Sequence, residues 1–155
     1  MMKIGLNTNT FPGETLDVLI PMAKDFGIKY FELWGSNLES NGKPAVNFYA
    51  FSDKDMDKAK KQIEDAGLVV GSISSGLGLD TKMTSDPEAF SRELVATVEA
   101  AAFFGAKVVN HYSDKIQPGT TPEIDRLHQY FDAALKRAEE LGVTLALENE
   151  AGDAS

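Results

Sequence analysis

Four short stretches of the chain share one layout, and that repetition restricts the fold more than any other feature. A polar amphipathic run ends at a glycine and passes at once into a β-rich run: FGIKYFELW (26–34), AGLVVGSIS (66–74), FGAKVVNHY (104–112) and LGVTLALEN (141–149). The glycines, Gly27, Gly67, Gly105 and Gly142, lie 40, 38 and 37 residues apart. Glycine takes the left-handed conformation that closes a helix at no steric cost, so each junction reads as a helix end followed by a strand start. The regular spacing reads as a repeated βα unit.

The helix starts agree with this layout. Ser52 precedes DKDM, Asp86 precedes Pro87 and Thr121 precedes Pro122; Ser, Asp or Thr at the N-cap, with Pro at the first helical position, opens a helix well. Helices are predicted over 53–66, 87–104 and 122–141. A further helix is predicted around 15–26, with Pro21 expected to kink it or delay its start, because proline lacks the amide hydrogen and crowds the preceding turn.

With KIGLNTNTF at the N-terminus, the order becomes five strands with four helices between them, which implies a parallel sheet with right-handed crossovers. Two architectures satisfy that order: an open doubly wound sheet, or the leading part of an eight-stranded barrel. Strands covered on both sides should be apolar on both. Here alternate residues differ: Val143, Leu145 and Leu147 oppose Thr144, Ala146 and Glu148; Phe31 and Leu33 oppose Tyr30, Glu32 and Trp34; Ile4 and Leu6 oppose Gly5, Asn7 and Asn9. Aliphatics on one face and small or polar groups on the other fit a barrel wall. The expectation is an α/β chain, a partial (βα) barrel of five parallel strands alternating with four helices, in one incomplete domain over residues 1–155.

Composition narrows the partners. With 15 Lys and Arg against 24 Asp and Glu, the net charge of -9 repels phosphate backbones and argues against nucleic acid and anionic membrane surfaces. No apolar run approaches the roughly 20 residues that span a bilayer. With no cysteine, neither a disulfide framework nor a thiolate zinc site is available. Met1-Met2-Lys3 leads into a short apolar segment without a signal-peptide core, so a cytoplasmic location is expected.

In βα barrels the chemistry sits at the C-terminal ends of the strands. Those ends would bring together Asn7 and Asn9, Glu32 and Trp34, Ser72 and Ser74, Asn110 and His111, and Glu148 with Glu150. Each has a local explanation, such as a capped turn or a satisfied backbone group, and their joint placement is what points to a site. Glu148 is the sharpest member. A carboxylate following VTLAL on a strand built for burial costs several kcal/mol unless it is paired or metal-bound, and exposure at the barrel mouth is the competing explanation. His128 falls within the last helix and reads as surface. GLGLD (76–80) lacks the third glycine and the lysine of phosphate-binding fingerprints.

KIGLNTNTF, KYFELW, AKVVNHY and above all GVTLALEN resemble the xylose isomerase-like TIM barrels, over essentially the whole chain. That superfamily contains sugar-phosphate isomerases and epimerases, hexulose 3-epimerases and abasic-site nucleases of the endonuclease IV type. The resemblance implies that Glu148, closing the fifth strand, is a metal ligand and an acid/base group. Glu32 matches a carboxylate common at the family's second strand end and His111 a position that often carries a polar or histidine side chain; with Asn7, Trp34 and Glu150 from the strand ends, they are expected to border a sugar or sugar-phosphate substrate. The implied cofactor is a divalent ion (Mg²⁺, Mn²⁺, Co²⁺ or Zn²⁺), and the implied reaction is proton transfer next to a carbonyl, as isomerisation or epimerisation.

The family completes its metal site with an Asp, a His and a Glu from the sixth to eighth strands, and a full barrel takes at least about 200 residues. The sequence therefore predicts an incomplete site, inactive in the isolated chain. Five strands leave the first and fifth as open edges, which predicts a homo-oligomer. The alternative is a non-catalytic binding or assembly module that retains the fold. The nuclease branch, which relies on many histidines, fits poorly with two histidines and an acidic balance.

Overall fold

The structure is a computed structural model that describes residues 4–45, 47–75, 86–112 and 124–148. Its main sheet contains β1 (Gly5–Asn7), β2 (Tyr30–Trp34), β5 (Val69–Ser74), β6 (Val108–Tyr112) and β7 (Thr144–Glu148), all parallel, in the spatial order β1-β2-β5-β6-β7. A short antiparallel hairpin, β3 (Glu39–Ser40) with β4 (Lys43–Pro44), lies in the connection after β2. Four helices alternate with the main strands: α1 (Leu16–Asp25), α2 (Asp53–Asp65), α3 (Pro87–Phe104) and α4 (Ile124–Leu141). Strand order follows chain order with no reversal, so the topology is that of a barrel wall and lacks the switch point of a doubly wound sheet.

Register explains why the helices gather on one face. The pairings Leu6–Phe31–Val70 and Leu33–Ile73–Val109–Leu145 run as two rows across the sheet. These residues pack against Leu16, Leu19 and Ala23 of α1, Ala59 and Ile63 of α2, Val98 and Ala101 of α3, and Ala138 of α4. A second cluster, Phe90, Leu94, Tyr130 and Ala134, joins α3 to α4 and also touches Leu145. Phe31, Leu33 and Ile73 are essentially inaccessible, and each stabilises the fold by about 1.5–3 kcal/mol relative to exposure. The opposite face carries Asn7–Glu32–Ser72 in one row and Trp34–Ser74–Asn110–Ala146 in the next.

One irregularity makes this two-sidedness possible. Phe31 pairs with Val70 and Glu32 with Ser72, so Gly71 is an extra residue in β5. Strict alternation would put Val70 and Ser72 on the same face. The bulge shifts the period by one, leaving Val70 and Ile73 toward the helices and Ser72 and Ser74 on the other side.

The helix ends follow their local chemistry. Ser52 caps α2 in a reciprocal box with Asp55, and the Asp86 carboxylate accepts from the Ala89 amide ahead of Pro87 at the start of α3. All four repeat glycines have positive φ, between 64° and 78°. Thr121, expected to cap α4, lies outside the described residues. Pro21 does not delay the helix start: α1 begins at Leu16 and continues through it. Pro21 and Asp17, whose carbonyl would have received the missing amide hydrogen, are both exposed, so water can satisfy that carbonyl while Leu16, Leu19 and Ala23 hold the buried side. The first strand is also shorter than its sequence suggests, turning at Thr8–Thr10 into a 3-10 helix.

Among the described residues, β1 and β7 each have one neighbour and form the edges of the sheet. Leu147, which pairs with His111 on the helix side, is 63% exposed. No helix of the described residues is long and apolar enough to cross a membrane.

Candidate functional site at the strand ends

The C-terminal ends of the five parallel strands collect the polar groups on the face turned away from the helices. Ala146 pairs with Asn110, so Glu148, two residues further on, rises on the same side. Asn110 Nδ2 donates to Glu148 Oε2 at 2.5 Å, and the pair is exposed. Glu148 therefore avoids the desolvation that its apolar strand would otherwise impose: it stands clear of the helices, in water, and held by a neutral donor. Glu32 is half-buried in the row between Asn7 and Ser72. Trp34 is 9% exposed and belongs to neither apolar cluster, consistent with its register position beside Ser74. The Ser74 hydroxyl is buried without a hydrogen-bond partner among the described residues.

Asn7 turns out to have a local task. Its Oδ1 accepts from the Asn9 amide at 3.0 Å and caps the 3-10 helix that ends the first strand. His111 requires a correction. It alternates with Asn110, so it faces the helices, where it is 1% exposed with ring centroids 5.4 Å from Phe90 and 5.2 Å from Phe131. A strand's period of two separates neighbours onto opposite faces, and the aromatic side chains of α3 and α4 cover the imidazole; it does not join Asn110 and Glu148. Glu150 lies outside the described residues, as does GLGLD. His128 is on the outer surface of α4, 2.8 Å from Asp132, and that carboxylate raises its pKa.

The connections at this end of the sheet are tied to one another. Thr8 Oγ1 accepts from the Trp34 amide, and the fully buried Asn37 donates through Nδ2 to the carbonyls of Phe11 and Glu14. On the other side of the same connection, Glu93 of α3 accepts from the amides of Phe48 and Tyr49 at 2.6 and 3.2 Å. Sequence reading did not single out Asn37 or Glu93. A signal for Glu93 exists: it interrupts the inward stripe Phe90, Leu94, Thr97, Val98, Ala101, where a carboxylate demands a partner.

Whether these residues can hold a divalent ion follows from the donor set. Among the described residues no three of His, Cys, Asp or Glu converge. Glu148 has a neutral amide, not a second carboxylate, as its neighbour, and one carboxylate is too small a set for a self-contained site.

A consecutive parallel sheet, helices on one face and a polar carboxylate-bearing rim on the other define a partial βα barrel of the kind that carries chemistry at its strand ends. The chain belongs to the xylose isomerase-like TIM barrel family, whose pattern matches residues 20–155. Solved structures agree at the level of the fold. A sugar phosphate isomerase/epimerase from Parabacteroides distasonis aligns with a TM-score of 0.61 at 19% identity, covering 96% of this chain and 51% of that one. An L-ribulose 3-epimerase aligns with a TM-score of 0.61 at 20% identity, over 95% and 49% of the two chains. A 3-keto-D-glucoside 4-epimerase from E. coli gives 0.60 at 19% identity, over 95% and 56%. The chain thus spans about half the length of these neighbours. No curated protein sequence matches it significantly.

Proposed function

We propose that this chain contributes the first five strands of a sugar isomerase or epimerase barrel, with a sugar or sugar phosphate as its ligand. In this reading Glu148 takes and returns the proton next to the substrate carbonyl, and Asn110 fixes the orientation of its carboxylate. Glu32 and Trp34 border the sugar, with Asn7 shaping the turn beside them; Glu150 would extend the same rim. Glu148 is also the candidate ligand toward a divalent ion, and the described residues do not complete that ion's coordination.

The observation that carries this reading is the position of Glu148: at a strand's C-terminal end, on the side away from the helices, and hydrogen-bonded by a neighbouring strand. Membership of the family and the names of its structural neighbours supply the substrate class. The test is a titration of the isotopically labelled chain with Mn²⁺, with and without a ketose or ketose phosphate. Paramagnetic broadening should centre on Glu148 and the Asn110 side-chain amide and should be lost in Glu148→Gln. No response at either residue would remove the reading.

A second reading, a non-catalytic binding or assembly module, draws support from the lack of three converging ligands among the described residues. Sugar binding without any divalent-ion response would favour it. In either case, the edges β1 and β7, with Ile4 69% and Leu147 63% exposed, favour association of two or more copies. Sedimentation at micromolar concentration should give a mass above that of one chain; a stable monomer would exclude this part of the proposal.

A further inference from the structure

The connection from Trp34 to Ser52 leaves the rim of the candidate site and is anchored at its far end by a buried acid. Glu93 is 1% exposed, and its two oxygens receive the first two amides of the 3-10 turn Phe48–Ala50. These are helix-start donors with no partner inside their own turn, and Asn47, at the N-cap, provides no side-chain bond to them. The acid lies on the buried stripe of α3, and Phe48, which it grips, is buried in the main core. Tyr49 is the outer member, with Arg92 4.7 Å over its ring.

We propose that Glu93 is a proton-operated latch on this connection: buried and uncharged, it holds the turn Phe48–Ala50 against α3, and ionisation favours release of the turn. Burial pushes its pKa up to about 7, outweighing the two amide donors and Arg92, which act in the opposite direction. A carboxyl that holds its proton more tightly when closed than when exposed must, by linkage, favour the closed state when protonated. Ionised, it can regain hydration only if the turn moves away. Other titratable groups bear on this region. Tyr49 is on the turn itself, with its phenol oxygen receiving Asn47 Nδ2; His111 of β6 and Tyr130 of α4 both pack on Phe90, one helical turn before Glu93. The latch does not depend on the function proposed above.

The experiment follows the backbone amides of Phe48 and Tyr49 by ¹⁵N–¹H spectra and hydrogen exchange between pH 5.5 and 8.5. Both resonances should titrate with a midpoint near 7, and exchange protection, after correction for intrinsic rates, should fall on the alkaline side. In Glu93→Gln, which is neutral throughout, the titration should vanish and protection should be independent of pH. A response arising from any other group would persist in that variant, so the two sources are distinguished. Amides that do not titrate between pH 6 and 8, or titrate equally in Glu93→Gln, would overturn the latch. Should the variant not fold, constant protection in the unmodified chain would overturn it as well. A chain that shows the titration but binds no sugar or ion loses the functional reading and keeps the latch; the converse outcome does the reverse.

Discussion

Asn110 and Glu148 meet across two adjacent parallel strands, amide to carboxylate at 2.5 Å, one pleat beyond the point where Asn110 pairs with Ala146. The contact is exposed, so its contribution to stability is small while its effect on carboxylate orientation is direct. Asn110→Ala should change unfolding free energy by less than about 1 kcal/mol and yet weaken the Mn²⁺-dependent broadening at Glu148. Urea denaturation with the same titration separates the two effects. A large loss of stability would mean that the pair is structural.

Glu93 makes stability depend on pH in a direction opposite to that of most carboxylates. Its folded value is raised above the ordinary 4.5, to about 7. The folded state therefore keeps a proton that the unfolded chain has released. The contribution is fully present below about pH 4.5 and is lost as pH rises through 7. The integrated effect has an upper limit on the order of 3 kcal/mol. Urea unfolding at pH 5 and pH 8 should show this loss in the unmodified chain, and the difference should shrink in Glu93→Gln; an identical pH dependence in both would refute the assignment.

Phe90 joins three rings: Tyr130 and Phe131 edge-on at 5.0 and 5.9 Å, and His111 tilted at 5.4 Å. It is fully buried between α3 and α4. Phe90→Ala should cost about 3–5 kcal/mol, measured by chemical denaturation. It should also change the environment of the His111 ring, visible in its proton resonances. Phe90→Leu, closer in volume, should cost distinctly less.

Two glycines make opposite predictions. Gly105 ends α3 at φ 78°, where an added Cβ meets no neighbour but the backbone conformation itself is unfavourable; Gly105→Ala should cost about 1–2 kcal/mol. Gly71, the bulge residue, lacks a positive φ, and a Cβ there would meet only the Phe31 carbonyl at an ordinary 3.6 Å. Gly71→Ala should stay within about 0.5 kcal/mol. Comparable losses at both sites would mean that the bulge depends on glycine for some other reason.

Much of the architecture was legible in local pattern. Ser52, Asp86 and the four repeat glycines mark helix boundaries because caps are satisfied within a few residues. Alternation in YFELW and TLALE marks a two-sided wall because a strand's period is strictly two. Alternation also placed Glu148 away from the helices. What remained hidden involved partners distant in sequence or a break in the period. His111 looked like a strand-end polar group, and parity with Asn110 sends it to the helices. The inserted Gly71 reverses parity within one strand, and only pairing with β2 reveals it. Glu93 looked like one acid among many on an acidic chain until the amides of Phe48 and Tyr49, some 45 residues earlier, came within reach.

By itself, the sequence determined the succession of helices and strands, their parallel barrel-type arrangement and which residues reach the strand ends, because these depend on backbone periodicity and on groups satisfied by near neighbours. Tertiary structure alone decided what each polar side chain does: Asn110 orients Glu148, Asn7 caps a turn, Asn37 ties two connections together and Glu93 receives the amides of Phe48 and Tyr49. Burial and hydrogen-bond partners are properties of distant segments brought together, and they set the charge and direction of a group once folding has removed it from water.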